Sequence, residues 1–213
     1  MITNEFILKR FGLTYVKRPP VEIPNFGRDN LAELFEDVGF DRGAEIGVKD
    51  GIYSEILCKA NPRLKMYGVD PFITYDEYTD FRIKSTVNKY HEDALNRLAP
   101  FKDRYTMIEK FSVEAALEVP DNSLDFVYID GNHEFSYVTA DIHVWRKKVK
   151  KGGIISGHDY FKHAKSGTKC HVYQVVNAYC DAYFIKPWFI LGRNAMIDGE
   201  VRDTSRSWMF INQ

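Results

Sequence analysis

SLDFVYIDGNHEFSYVTADIHVWRKKVKKGGIISGHDY, residues 123–160, is the stretch whose reading decides the fold. Its opening, Leu124 to Ile129, is a short apolar run of β-branched and aromatic residues that stops at Asp130-Gly131. That is the pattern of a strand buried on both faces. Phe135, Val138, Ile142, Trp145 and Val149 then recur at spacings of three and four, on one stripe of an amphipathic helix. Arg146, Lys147, Lys148, Lys150 and Lys151 suit the negative end of that helix, and Gly152-Gly153 is expected to stop it. A second strand, Ile154 to Ser156, follows and ends on Gly157-His158-Asp159. A unit of this length is a right-handed crossover between parallel strands, so Asp130 and Asp159 emerge at one carboxyl edge of an α/β sheet. Ligands bind at that edge. With His133 and His158 beside them, the two carboxylates suit a single cation. The plainer alternative is that Asp130 only caps the helix that follows it.

Working outward, Arg42 to Gly51, RGAEIGVKDG, reads as a short strand, an acid at Glu45, and glycines at 47 and 51 before a helix that stops at Asn61-Pro62. Glycines in this E-x-G-x-x-x-G spacing let the backbone turn sharply and approach a ligand, while Ile52, Ile56, Leu57 and Ala60 anchor the helix behind. The stretch is neither a GxGxxG fingerprint nor a phosphate loop ending in Gly-Lys-Ser/Thr. By itself the glycine pair also fits an ordinary strand-to-helix turn. The next strand, Lys65 to Val69, ends at Asp70-Pro71-Phe72. An acid there is placed to accept hydrogen bonds from a ribose diol, with Pro71 and Phe72 as a wall for a flat base. A third strand, Tyr105 to Ile108, leads to Phe111 and Ser112, a ring and a hydroxyl suited to bordering an adenine.

The 213 residues are enough for one core without disulfide help. Lys plus Arg at 29 against Asp plus Glu at 30 leaves a net charge of −1, which argues against a nucleic-acid partner. Cys58, Cys170 and Cys180 form no CxxC pair and read as buried thiols of a reducing compartment. No run is long and apolar enough for a membrane helix, and Met1 to Arg10 lacks a signal-peptide pattern, so a cytoplasmic location is expected. Pro19, Pro20 and Pro24, without a sustained period around them, mark residues 1–27 as an N-terminal arm and a candidate exchange element in a homo-oligomer. Residues 28–213 form the single domain. Asp29 is expected to cap a helix whose Leu31, Leu34, Phe35 and Val38 face inward and which ends near Gly39. The segment 73–101 reads as mostly helical, with Tyr75, Tyr78 and Tyr90 as packing residues. The loop from Tyr160 to Gly167 is suited to covering an acceptor, and His163 and His171 are not expected to act in catalysis.

Taken together, GAEIGVKDG, GVDPF, IEKFSVEAA, VYIDGNHEF, GGIISGHDY and the closing SWMFI resemble the class I S-adenosylmethionine-dependent methyltransferases, in the branch of small, often metal-assisted O-methyltransferases. The resemblance runs from about residue 30 to residue 213. It implies a doubly wound, Rossmann-like, seven-stranded sheet, mostly parallel, with helices on both faces and a C-terminal antiparallel hairpin, here Trp188 to Leu191 and Ser207 to Ile211. It implies S-adenosyl-L-methionine as cofactor, with Glu45, Gly47 and Gly51 at its methionine end. Asp70 would take the ribose, Pro71 and Phe72 would flank the base, and Phe111 with Ser112 would border the adenine. It further implies Mg²⁺ or Mn²⁺ on Asp130, His158 and Asp159, with Asp130 and His133 catalytic and His133 as the general base. Where family members often carry two adjacent acids or amides, this chain has His158-Asp159, and an imidazole is a softer ligand than an oxygen. The acceptor is expected to be a hydroxyl of a small molecule of sugar or natural-product type, with no nucleic acid and no membrane involved. Two alternatives stay open. Gly131-Asn132-His133-Glu134 imitates the GNHE element of metallophosphoesterases, although the Asp-x-His and Gly-His-x-His partners of that element are missing. A member that binds the cofactor without transferring methyl, or acts in a hydroxylase-like way, would share the fold.

Overall fold

The computed structural model describes residues 3–13, 19–74, 82–162 and 169–213. The crossover predicted from residues 123–160 is its centre: strand β5 (Leu124–Ile129), helix α6 (Phe135–Lys148) and strand β6 (Val149–Gly157), with β5 and β6 parallel neighbours. Along β5, Leu124, Val127 and Ile129 face one apolar cluster while Phe126 and Tyr128 face the other. Both faces are therefore buried, as a continuous apolar run requires. Val138, Ile142 and Trp145 form the inward stripe of α6. Truncating Trp145, which is fully buried, would cost about 3–5 kcal/mol.

The helix is shorter than its charge pattern suggests. It ends at Lys148, and Val149 opens β6 opposite Leu124, so Lys150 to Gly153 belong to the strand. A β-branched residue that finds a ladder partner leaves the helix, and the register shift between Leu124 and Phe126 absorbs the glycines as an irregularity.

The remaining elements are α1 (Thr3–Arg10), β1 (Val21–Ile23), α2 (Arg28–Val38), β2 (Arg42–Ile46), α3 (Ile52–Ala60), β3 (Lys65–Val69), α4 (Lys84–Leu98), β4 (Tyr105–Ile108), α5 (Ser112–Ala115), α7 (Val172–Ala182), β7 (Trp188–Leu191) and β8 (Trp208–Ile211). The strand order is β1-β7-β8-β6-β5-β2-β3-β4, with β8 antiparallel to both of its neighbours. The expected Rossmann-like sheet and its C-terminal hairpin are present. The sheet holds eight strands rather than seven, because Val21 to Ile23 of the N-terminal arm pair in parallel with Phe189 to Leu191. The arm is thus part of the sheet edge: three consecutive residues bury Val21 and Ile23 while their backbone groups close the exposed side of β7.

Aromatic stacking locks α2 to the sheet, with Phe35 and Phe126 ring centroids 3.8 Å apart. Gly39, in the left-handed conformation, ends α2 as expected. Its start differs from expectation. Gly27, not Asp29, is the N-cap; Asn30 Oδ1 accepts from the Gly27 N–H and Asp203 Oδ2 from the Arg28 N–H. A side chain from the β7–β8 connection supplies this cap, which no local pattern announces. Tyr75, Tyr78 and His163 lie outside the described residues, as does most of the expected acceptor-covering loop. Among the described residues no helix is long and apolar enough to cross a membrane.

Candidate active site

The central strands β2, β3, β5 and β6 are parallel, so their carboxyl ends open on one side of the sheet. A cavity of about 560 Å³ lies there, lined by Glu45, Gly47, Asp70, Pro71, Phe111, Ser112, Asp130, His133, His158 and Asp159. Ten residues singled out from separated stretches of sequence therefore share one pocket, of a size suited to a nucleoside-containing ligand. Gly51 and Phe72 are the exceptions among the expected cofactor residues. Gly51 is the N-cap of α3, with φ +78°, where a Cβ would come within 3.2 Å of Ala94 and Leu98. Phe72 turns away to stack on His91 of α4, centroids 4.3 Å apart, because burial against that helix offers more apolar contact than the pocket rim.

The turn after β2 depends on Gly47. Its φ is +93°, and a Cβ would stand 2.2 Å from the Asp130 carbonyl oxygen, so the chain packs here at a distance only glycine allows. Lys49, Phe72 and Asp159 carry positive φ values of 53°, 46° and 56° without being glycine. Such backbone persists where the surroundings over-determine it; Lys49 and Asp159 line this cavity, and Phe72 follows Pro71 at its edge.

Asp70 explains two of them. Its Oδ2 accepts from the Lys49 N–H at 2.9 Å and its Oδ1 from the Phe72 N–H at 2.9 Å. Burial raises its pKa, opposed by these backbone donors. The carboxylate thus shapes the turn and retains lone pairs toward the cavity. Glu45 lies deeper, 2 % exposed, and accepts a short hydrogen bond from Ser54, which also meets the Tyr105 hydroxyl at 2.7 Å. Burial pushes Glu45 up to about 8, with the Ser54 bond acting against it.

At the other end of the pocket, His133 Nε2 is 3.3 Å from Asp130 Oδ1 and 3.1 Å from Asp159 Oδ2. His158 Nδ1 is 3.5 Å from Asp159 Oδ2 and 3.9 Å from Asp130 Oδ2. The ligand atoms of Asp130, His133 and Asp159 all lie within 4.8 Å of one another, a spacing one cation can bridge. His133, expected as base alone, is thus closer to the carboxylate pair than His158, expected as metal ligand. Asp130 does not cap α6; that role falls to Glu134 and to His171 Nδ1, which accepts the Phe135 N–H. Burial raises the Asp159 carboxyl, but the His158 hydrogen bond and the charges of His133 and His158 outweigh it and hold Asp159 down at about 2. Burial lowers the His133 pKa, but the Asp130 hydrogen bond and the Asp159 and Asp130 charges together outweigh it, so the net direction is upward. Two neighbouring anions favour the charged imidazole in this way.

Phe161, from the loop expected to cover the acceptor, also lines the cavity, as do Arg28, Tyr53, Tyr137, Asp141 and Cys170, which were not anticipated there. Asp141 had a legible signal: it falls on the stripe of Val138, Ile142 and Trp145, and an acid on an inward helical face calls for a reason. Burial pushes it up to about 6, against a hydrogen bond donated by Ser112, whose oxygen also accepts the Trp145 indole N–H at 2.9 Å. Arg28 had none, since only the packing of α2 brings it to the pocket.

A parallel sheet in this order, with one antiparallel strand and a glycine turn facing acids at the next strand ends, defines a class I methyltransferase. The family model described as "Methyltransferase domain" matches residues 44–160, and the chain belongs to that family. Cofactor-bound Rv0187 from MTB is similar at 14% identity and TM-score 0.60, covering 87% of this chain and 79% of that one. An O-methyltransferase family protein from Burkholderia thailandensis is similar at 11% identity and TM-score 0.59, covering 87% of this chain and 55% of that one. An rRNA methylase from Streptococcus thermophilus is similar at 11% identity and TM-score 0.58, covering 93% and 99%. An uncharacterized protein of Acanthamoeba polyphaga mimivirus is 25% identical over 134 residues, 62% of this chain. The chain spans 57% of the length of that relative. The methyl donor of the family is S-adenosylmethionine. With this membership the metallophosphoesterase alternative loses its support, since Gly131 to Glu134 is the β5-to-α6 turn of the methyltransferase sheet.

Proposed function

We propose that the protein transfers a methyl group from S-adenosylmethionine to a hydroxyl of a small molecule, of sugar or natural-product type, with a divalent cation assisting. The observation that carries this reading is the cluster of Asp130, His133 and Asp159 in the same cavity as the Gly47 turn and Asp70. Hydroxyl methylation needs a proton acceptor and a means of holding the oxygen in line with the methyl group, and little covalent help. The residues fit both the cofactor and a cation. Gly47 would leave room at the methionine end, Glu45 would meet the amino group, Asp70 would take the ribose with Pro71 alongside, and Phe111 with Ser112 would border the adenine.

Asp130 and Asp159, with His158 beside them, would hold Mg²⁺ or Mn²⁺. Such an ion lowers the pKa of a coordinated hydroxyl and fixes a vicinal diol. His133 takes the hydroxyl proton on its imidazole. When bound, S-adenosylmethionine would supply the methyl group from its sulfonium and be left as the neutral thioether once the group has passed to the oxygen. His133 Nε2, 3.3 Å from Asp130 Oδ1 and 3.1 Å from Asp159 Oδ2, stands next to where a coordinated hydroxyl would lie, and a divalent ion on those acids would offset their charge and favour the neutral imidazole that a base requires. A small acceptor is favoured over RNA because the pocket is acid-lined and the chain carries a net charge of −1, neither of which suits a phosphate backbone. A cytoplasmic setting agrees with three buried, unpaired thiols.

Incubation with methyl-labelled S-adenosylmethionine, Mg²⁺ or Mn²⁺ and a panel of sugar and phenolic diols tests this. Label transfer with stoichiometric S-adenosylhomocysteine is expected. Cofactor binding without transfer to any hydroxyl in the panel, together with transfer to RNA, would overturn the acceptor class.

A further inference from the structure

We infer that Arg28 is the residue that receives the carboxylate of the methionine moiety, an assignment that rests on the transferase reading above. Among the described residues, the cavity presents six acidic side chains, two imidazoles already set against Asp130 and Asp159, and two strongly basic side chains, Arg28 and Lys49. S-adenosylmethionine brings two positive groups, its ammonium and its sulfonium, and one negative group, its carboxylate. The acids suit the first two and repel the third. A buried carboxylate needs a charged partner.

The two cations stand at different ends of the cavity. The Lys49 ammonium lies 5.1 Å from the Tyr90 ring centroid, and the Lys49 backbone is tied to Asp70, the ribose end. Arg28 lies at the opposite end, its Nη1 3.8 Å from Asp130 Oδ2 and its guanidinium 5.3 Å from the Tyr53 ring centroid. Glu45 and Asp130 are both near enough to feel its charge.

The position of Arg28 is built rather than incidental. Its N–H donates to Asp203 Oδ2 at 2.8 Å, and its carbonyl oxygen accepts from the Tyr53 hydroxyl at 2.9 Å. The main chain is held on both sides, and the guanidinium lies over the Tyr53 ring. At 3.8 Å the contact with Asp130 is too long for a hydrogen bond, and among the described residues the guanidinium donates none. A planar fork of donors with 32% side-chain exposure therefore faces the cavity uncommitted. That fork matches a carboxylate in a two-point contact, which a lysine ammonium does not reproduce.

The carboxylate could also belong to an acidic acceptor, and the experiment separates the two sources. Calorimetry with S-adenosylhomocysteine and with its decarboxylated amine analogue is run on the wild type, Arg28→Met and Arg28→Lys. The wild type is expected to bind the decarboxylated ligand about ten- to hundredfold more weakly. Arg28→Met, which keeps an apolar stem, should lose the same factor on S-adenosylhomocysteine and nothing on the analogue; Arg28→Lys should restore part of it. An equal loss on both ligands would reduce Arg28 to a structural support and overturn the assignment. Unchanged binding of both ligands with a raised acceptor KM would move the contact to the acceptor and overturn it as well. A wild type that binds neither ligand would instead overturn the transferase reading itself.

Discussion

The imidazole Nε2 of His133 lies 3.1 Å from Asp159 Oδ2, so the turn after β5 and the end of β6 are joined by one ionisable contact. Because Asp130 and Asp159 favour the imidazolium, His133 holds its proton to a pH above the ordinary 6.5. A base must be neutral to act, so the rate should rise with pH through the His133 midpoint. Replacing the anion by an amide, Asp159→Asn, lowers the His133 pKa and moves its midpoint to lower pH. Titration of the His133 ring proton by NMR in metal-free protein checks this; an unmoved midpoint would show that the two groups are not coupled.

Asp130→Asn removes a charged ligand while keeping the shape of the side chain. Divalent-ion stimulation of methyl transfer should disappear, and the melting temperature should stay within a few degrees of the wild type. His158→Ala should cost less than Asp130→Asn, since His158 stands outside the tightest cluster. Activity that survives both Asp130→Asn and EDTA would rule out the cation.

Asp70→Ala should weaken S-adenosylhomocysteine binding by about 1.5–3 kcal/mol through lost charged hydrogen bonds to the ribose. It also strips the Lys49 and Phe72 amides of their acceptor, so a fall in thermal stability should accompany it. Comparison with homocysteine-free adenosine separates the effects. If adenosine binds equally well to wild type and variant, Asp70 serves the turn and not the ribose.

Glu45 offers a test in which stability and binding move oppositely. Free glutamate ionises near 4.3, whereas burial holds Glu45 protonated up to about 8. Between those values the folded state binds more protons than the unfolded one, so stability falls as pH rises through this window. Glu45→Gln removes that penalty. The variant should melt higher than the wild type near pH 8 and at about the same temperature near pH 4. It should also bind S-adenosylhomocysteine about tenfold more weakly if the carboxylate meets the ammonium. Parallel melting curves at both pH values would show that Glu45 is already paired and charged in the folded protein.

Much of the site was legible because the sheet enforces it. In a parallel sheet every strand ends at the same edge, so the acids at or just past the strand ends, Glu45 one residue before the end of β2 and Asp70, Asp130 and Asp159 beyond β3, β5 and β6, had to converge once the strands were recognised. Local pattern also carried the Gly39 stop, the Gly47 turn and the α6 stripe. It misjudged Phe72, because a ring at a strand end has two apolar surfaces to choose between, and α4 won. It placed the end of α6 too late, because basic residues suit a helix terminus and a strand start equally.

The amino-acid order alone determined the class of fold and the row of acids at its ligand-binding edge, since strand periodicity and crossover handedness depend on residues close in sequence. Only the tertiary structure decided the rest. It drew Val21 to Ile23 into the sheet, set His133 between Asp130 and Asp159, put Asp203 on the start of α2, and turned Arg28 toward the cavity. Those placements come from contacts between segments far apart in the chain, whose energies depend on distances that no local spacing encodes.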